Sequence, residues 1–443
     1  MPYLATTAAD RVAMLAAVGA SDCDALFASI PARLRTSQPL ALPQPLAELD
    51  LHRHLLELAR QNRGAELLCF AGGGAYDHAI PAAVDALVAR GELLTAYTPY
   101  QPEISQGSLA ITFEFQTLIA RLTGLPVANA GMYDGASALA EACLMALRTS
   151  HRNRVVVEAS LHPDWLAVAR TYLAGSGAEI VVAPGDAAVA ALDETVACLV
   201  VQTPDFLGRA RDLTGWGAAA HAAGSLLLTA CDPLALALLK PPADWGADIA
   251  VGECQPLGLP LAFGGPYLGY LAATTELVRQ MPGRLVGRTV DCHRNPGYVL
   301  TLQAREQHIR RARATSNICS NQALMAARAT IHTALLGPAG LARVAAACAE
   351  GGARLRTALL AIDGVEAVGE PPHFREFAVR LPVAAEEFVA TLAKRGLLAG
   401  VPLARWDADR PNDLLVAVTE KRSEAELAAY VAAARAACTE LGR

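Results

Sequence analysis

The stretch SLLLTACDPLALALLKPPADWGADIAVG, residues 225–252, decides the fold. Two short apolar runs, 225–231 and 246–252, flank a helix-like ALALLK segment that Pro241 and Pro242 end. Strands of this kind, apolar on both faces, belong inside a parallel sheet covered by helices. Three similar runs lie upstream, RVVVEAS (154–160), AEIVVAP (178–184) and TVACLVVQT (195–203), each separated from the next by helical sequence. Strands alternating with helices imply right-handed βαβ crossovers, so residues 66–330 are expected to form a large α/β domain around a mainly parallel sheet.

Outward from this core, residues 1–65 show amphipathic patterning punctuated by Pro31, Pro39, Pro43 and Pro45, which predicts an N-terminal helical arm. Residues 331–443 open on Ala-rich helical sequence, continue with the strand-like FAVRL (377–381) and DLLVAVT (413–419), and close on the helix-like SEAELAAYVAAARAAC. A smaller C-terminal α+β domain is expected there.

Composition narrows the function. With 53% hydrophobic and only 18% charged residues in 443, much of the surface is expected to lie under another subunit. A net charge of −6 carries no electrostatic footprint for nucleic acid or anionic lipid. The opening residues hold Asp10 and no basic or long apolar segment, and Asp232 interrupts the most apolar stretch. Neither a leader nor a membrane span is expected, and the location is expected to be cytoplasmic. Ten cysteines without a C-x-x-C pair imply reduced thiols, and no metal site is expected. Lysine is scarce: of 37 basic residues only Lys240, Lys394 and Lys421 are lysines, so lysine chemistry has three candidates.

Four stretches carry chemistry. TAYTPYQPEISQG (95–107) is too rich in proline for a regular element and is expected to be an ordered loop, where Tyr97 and Tyr100 suit either a ligand pocket or a subunit contact. In NAGMYDGASALAEACLMA (129–146), Gly135 and Ser137 open a helix whose free N–H groups suit an anion, though Asp134 and Ser137 also suit ordinary capping. Asp232 follows a strand, where α/β enzymes set a residue against a ligand; before Pro233 it also suits a helix cap. Last, GADIAVGECQPLGLPLAFGGPYLG (246–269) runs from a strand into a Gly/Pro loop.

Together with MPGRLVGRTVD (281–291), GYVLTLQAREQHIRRARATSNICSNQAL (297–324) and VAVTEKRSEAEL (416–427), these stretches resemble the glycine dehydrogenase (decarboxylating) P-protein family of the glycine cleavage system, specifically subunit 1 (alpha) of its two-subunit bacterial form. The resemblance covers nearly the whole chain. It implies an aminotransferase-like fold (PLP-dependent transferase fold type I) and an α2β2 heterotetramer. In that assembly pyridoxal phosphate is bound covalently by a lysine of the beta subunit, glycine is decarboxylated, and the aminomethyl group passes to the lipoyl arm of the H-protein. Where the family's beta subunit has its His-Lys pair, this chain has Gln255 and Pro256, which implies that it lacks the Schiff-base lysine. Gly135 and Ser137 (phosphate cup), His162 (ring stacking), Asp232 (pyridinium partner) and Gln255 then read as a vestigial cofactor pocket. The loop residues Tyr97, Tyr100, Gln101, Glu103, Ser105 and Gln106 read as an active-site wall toward the partner. Arg305, Glu306, His308, Arg310 and Arg311 are expected to build a buried ion-pair network at a helix start. Two other functions stay open: a non-catalytic scaffold or regulatory subunit of the same complex, and an autonomous enzyme that uses Lys240.

Overall fold

A computed structural model describes residues 5–36, 38, 40–318 and 322–442. Pro39, the first four residues and positions 319–321 of the 297–324 stretch lie outside them. The chain forms two compact units, Met1–Ala65 and Glu66–Arg443. In the first, the helices Ala8–Ala17 and Glu48–Gln61 are joined through short 3-10 turns, and no residue of either helix is buried. Thr7 and Asp10 close a reciprocal cap at the start of the first helix.

The second unit is built on a seven-stranded sheet in the order Val127–Ala128, Gly269–Ala273, Ile249–Glu253, Leu226–Cys231, Val196–Thr203, Arg154–Glu158, Glu179–Ala183. The five strands from Ile249–Glu253 outward pair in parallel, and Gly269–Ala273 pairs antiparallel with both of its neighbours. All five apolar runs recognised in the sequence are these parallel strands. Their alternate side chains enter cores on opposite faces: Val155, Val157, Val200 and Leu228 on the side of the Gly135–Ser150 helix, Val156, Leu199, Val201 and Leu227 on the other.

A four-stranded antiparallel sheet, Glu366–Val368, Glu376–Arg380, Asp413–Ala417, Val401–Pro402, carries its own core around Phe377, Phe388 and Tyr430. The strand Leu68–Cys69 pairs with Leu397–Leu398, so the chain entering this unit is stitched to its C-terminal part. The 38-residue helix Ala323–Leu360 runs across position 331 and breaks locally at Gly337-Pro338. Its length and composition would suit a membrane span. It nevertheless buries fourteen residues, among them Arg328 and His332, in the protein. Polar side chains tied into a protein interior mark a core helix rather than a lipid-facing one.

Candidate functional site

At the carboxyl ends of the parallel strands lies a pocket bordered by Gly74, His162, Trp165, Asp232, Pro256 and Arg375. Gly135 adjoins it at the start of the Gly135–Ser150 helix, where Asp134 and Ser137 exchange capping bonds: Ser137 N–H to Asp134 Oδ1 at 2.7 Å, Asp134 N–H to Ser137 Oγ at 3.2 Å. The Ser137 hydroxyl is thereby spent on the cap. The adjacent Gly135 N–H donates instead to Glu253 Oε2 at 3.0 Å, and Glu253 Oε1 takes the N–H groups of Gln255 (3.0 Å) and Leu268 (3.1 Å). Burial pushes the Glu253 carboxyl up to about 8, against the pull of the backbone donors.

Asp232 follows its strand as the sequence implies and caps the turn beyond it, accepting from Leu234 N–H at 2.9 Å. Its other oxygen is bound by the guanidinium of Arg375, which is 98% buried along its side chain. Arg375 also donates to His78 Nε2 at 2.7 Å. That bond settles the His78 tautomer: Nε2 accepts, so the proton is on Nδ1 and faces Glu420 Oε2 at 2.6 Å. A continuous buried chain, Glu420–His78–Arg375–Asp232, therefore links the end of the Asp413–Ala417 strand to the main pocket. His78, Cys348 and Glu420 also form the single group among the described residues with donor atoms close enough for a metal ion, within 4.8 Å of one another. The His78 Nδ1 proton occupies the position such an ion would need. Moving it to Nε2 would set donor against donor at Arg375.

Alongside, the glycine-rich segment 71–76 crosses the pocket. Gly73 N–H and the Tyr76 hydroxyl donate to the two oxygens of Glu376, at 2.6 and 2.7 Å, and burial raises that carboxyl to about 7. His162 sits in an aromatic box with Phe206, Trp165 and Trp406. Its Nδ1 accepts from Asp164 N–H and its Nε2 donates to Gly73 O at 2.8 Å, while burial lowers its pKa. The Gln255 amide is fully bonded to the Tyr76 backbone and to Leu259 O. The cavity left among these groups is about 50 Å³. No lysine lines it, and Lys240 is exposed at the end of its own segment.

The second place named by the sequence, residues 95–107, lacks a regular element only as far as Gln101. Pro102–Ile104 form a 3-10 turn, and Gln106 and Gly107 begin the Gln106–Thr123 helix, which corrects the expectation of an irregular loop throughout. Proline is harmless in a first turn, so Pro102 initiates this structure rather than breaking it. Tyr97 and Ile104 are 83% and 81% exposed, and Gln101 and Glu103 are exposed beside them. Ser105 is the half-buried residue before the helix. Gln106 is spent structurally: it donates to Tyr298 O and accepts from Tyr298 N–H, both at 2.9 Å. Tyr97, Thr98, Pro99, Ser108, Thr112 and Arg284 border a cavity of about 190 Å³.

The segment 305–311 is not the buried ion-pair network expected of it. Glu306 alone is buried among charges, near Arg284 (3.6 Å) and His308 (3.5 Å); Arg305 and Arg310 donate to backbone carbonyls, and Arg310 and Arg311 are exposed. The helix there is one turn, Gln307–Arg310, too short to align five charges on one face. What it does instead is hold the loop. Arg284 donates to the Tyr100 hydroxyl at 3.3 Å, and the His308 ring packs edge-on against Tyr100 at 5.2 Å.

Of the residues the sequence pointed to, His162, Asp232 and Pro256 line this pocket and Gly135, Ser137 and Gln255 adjoin it, while Tyr76, His78, Trp165, Glu253, Arg375 and Glu376 were not singled out. Two signals were available. Gly72-Gly73-Gly74 marks a close backbone approach, and the Arg375-Glu376 pair stands directly before the apolar Phe377-Ala378-Val379 of its strand.

Comparison with known proteins places this architecture. Residues 1–433 match the family model of the glycine cleavage system P-protein. A probable glycine dehydrogenase (decarboxylating) subunit 1 from Syntrophomonas wolfei is 49% identical over 427 residues, 94% of each chain. A crystal structure of glycine decarboxylase (P-protein) of the glycine cleavage system, in inhibitor-bound form, superposes with a TM-score of 0.90 at 45% identity, covering 99% of this chain and 100% of that one. A sphingosine-1-phosphate lyase from Burkholderia pseudomallei shares the fold at a TM-score of 0.62 and 18% identity, over 93% and 95% of the two chains. The fold is that of pyridoxal-phosphate-dependent enzymes of type I. Pyridoxal phosphate does not fit this chain's own pocket: Glu253 holds the Gly135 N–H, Arg375 holds Asp232, and no lysine reaches the cavity. With the fold, the pocket and the full-length match in agreement, the chain belongs to the glycine cleavage system P-protein family, among its subunit 1 members.

Proposed function

We propose that this chain is the alpha subunit of an α2β2 glycine decarboxylase and supplies one wall of an active site whose lysine and cofactor belong to the beta subunit. Pyridoxal phosphate held by that subunit would supply the electron sink for glycine decarboxylation, with the lipoyl arm of the H-protein as the acceptor of the aminomethyl group. The observation that carries this reading is the face formed by residues 97–104. Tyr97, Gln101, Glu103 and Ile104 are exposed, and Tyr97 borders a cavity of about 190 Å³, on a chain whose own strand-end pocket is filled by its own side chains.

The roles of these residues follow from their surroundings. Tyr100 is held by Arg284 and His308, so its ring is set in place before any partner arrives. Such preorganisation spares the assembled site a reordering cost. Exposed aromatic rings backed by a rigid helix start suit a surface that excludes water around reacting groups, which strengthens electrostatic stabilisation there. Glu103 and Gln101 add polar contacts at the rim, which a purely structural apolar interface would not need.

The test is reconstitution. Purified chain and candidate beta subunit are assayed separately and mixed, with lipoylated H-protein, for glycine-dependent CO2 exchange and for the visible absorbance of bound cofactor. Activity and absorbance confined to the beta subunit and the mixture, with activity maximal only in the mixture, support the proposal. Cofactor absorbance in this chain alone would overturn it.

A further inference from the structure

The strand-end pocket retains the features that a phosphorylated ring compound would meet, and in each case a side chain of this protein has taken the ligand's place. At the start of the Gly135–Ser150 helix the Glu253 carboxylate collects the N–H groups of Gly135, Gln255 and Leu268. A helix N-terminus with converging backbone donors is the geometry that binds phosphate. Trp165 fills the remaining space, for a Cβ added at Gly135 would lie 2.4 Å from its ring and 3.1 Å from Glu253 Cβ. At the far side, Arg375 binds the Asp232 carboxylate and is in turn held by His78 and by the Tyr76 ring, 3.5 Å from its centroid.

We propose that this pocket is closed from within, the Glu253 carboxyl serving as a permanent internal acceptor at a phosphate position and Arg375 as a permanent internal cation on Asp232, so that the chain folds and assembles without taking a phosphate ester there. Space and charge agree. The residual cavity of about 50 Å³ is well below the few hundred Å³ of ordinary ligand pockets. A phosphate arriving at Gly135 would meet Glu253 with its donors already engaged, and a ring nitrogen arriving at Asp232 would have to displace a guanidinium anchored at three other points. The arrangement also explains why buried charges persist in a pocket without a cofactor. Removing Arg375 or Glu253 singly would leave Asp232 or the helix N-terminus without its counter-group.

The inference deepens the reading that this chain carries no cofactor of its own, and the two fail separately. The experiment uses the full wild-type chain and its Glu253→Ala variant, followed by thermal unfolding with inorganic phosphate or pyridoxine 5′-phosphate against chloride at equal ionic strength. The phosphorylated pyridine lacks the aldehyde, so surface lysines do not react with it. The wild-type midpoint is expected to be unmoved by either probe. Glu253→Ala is expected to unfold at lower temperature and to recover part of that loss with phosphate, because the vacated N–H groups accept the anion. A wild-type midpoint raised by pyridoxine 5′-phosphate would overturn the closed-pocket proposal, while the need for a beta subunit would still be judged by activity. A folded Glu253→Ala chain with no rescue beyond chloride would overturn the phosphate mimicry. Should that variant not fold, the wild-type response alone decides.

Discussion

The guanidinium carbon of Arg375 lies 3.5 Å from the centroid of the Tyr76 ring, in a side chain with almost no solvent exposure. The Tyr76 hydroxyl in turn donates to Glu376, the next residue along the strand. One strand start thus supplies a cation beneath the ring and a carboxyl that accepts at its edge, and the glycine-rich segment 71–76 is clamped between them. A buried cation held by an aromatic face, a histidine and a carboxylate has no cheap substitute.

Replacing Arg375 by methionine is therefore expected to destabilise the chain by about 3–5 kcal/mol, because Asp232 loses its counter-charge in the interior. Arg375→Lys is expected to recover little, since an ammonium cannot bridge His78 and Asp232 as a planar fork does. Urea unfolding measures both. A loss below about 1 kcal/mol for the methionine variant would contradict the role assigned to the buried chain.

Acid should remove stability in two pH windows. Burial, and then the neighbouring His78, push the His332 pKa down to about 4, so the folded chain resists a proton that the unfolded chain accepts near 6.5. Burial alone would raise the Glu420 carboxyl, but the His78 hydrogen bond and the Ala79 N–H hold it at about 2, below its ordinary value of 4.5. Both groups bind fewer protons when folded, so both contributions are complete at neutral pH and are lost as pH falls. His332→Leu should flatten the stability profile between about 6.5 and 4, and Glu420→Gln between about 4.5 and 2. Urea midpoints across that range, compared with wild type, provide the measurement.

Gly135→Ala places a methyl group 2.4 Å from the Trp165 ring. Alanine ordinarily strengthens a helix, yet here the expected result is a loss of roughly 1–3 kcal/mol from overpacking. A companion Trp165→Leu change should remove most of that penalty, which a double-mutant cycle would detect as coupling.

Tyr97→Ala removes a ring that is 83% exposed, so the melting temperature of the isolated chain should shift little, within about 0.5 kcal/mol in stability. In the reconstituted complex the same change is expected to lower glycine-dependent CO2 exchange by roughly tenfold, the loss expected when one well-placed contact of about 1.4 kcal/mol is removed. Unchanged exchange together with unchanged assembly would remove Tyr97 from the active-site wall.

The sheet was legible because its strands are short apolar runs between turn residues, and burial on both faces leaves no other use for such runs. Asp232 follows one of those strands directly and Gln255 comes two residues after another, so strand position alone located both. The helix start at Gln106 was not, since Pro102 and Glu103 suit a loop and a first helical turn equally well. The segment 305–311 misled because a cluster of charges reads alike whether it pairs internally or faces solvent; Arg310 and Arg311 do the latter.

The sequence by itself determined the α/β class, the strand succession, and the absence of lysine at the position after Ile249–Glu253, since all three depend on local pattern or on residue identity. Only the tertiary structure decided what fills the pocket. Glu253 meets Gly135 across 118 positions, and Arg375 meets Asp232 across 143. No local periodicity encodes contacts of that range. The first arises where the strand Ile249–Glu253 ends beside the start of the Gly135–Ser150 helix, the second where the C-terminal sheet meets the strand ends, and burial leaves each group dependent on a partner that a distant segment delivers.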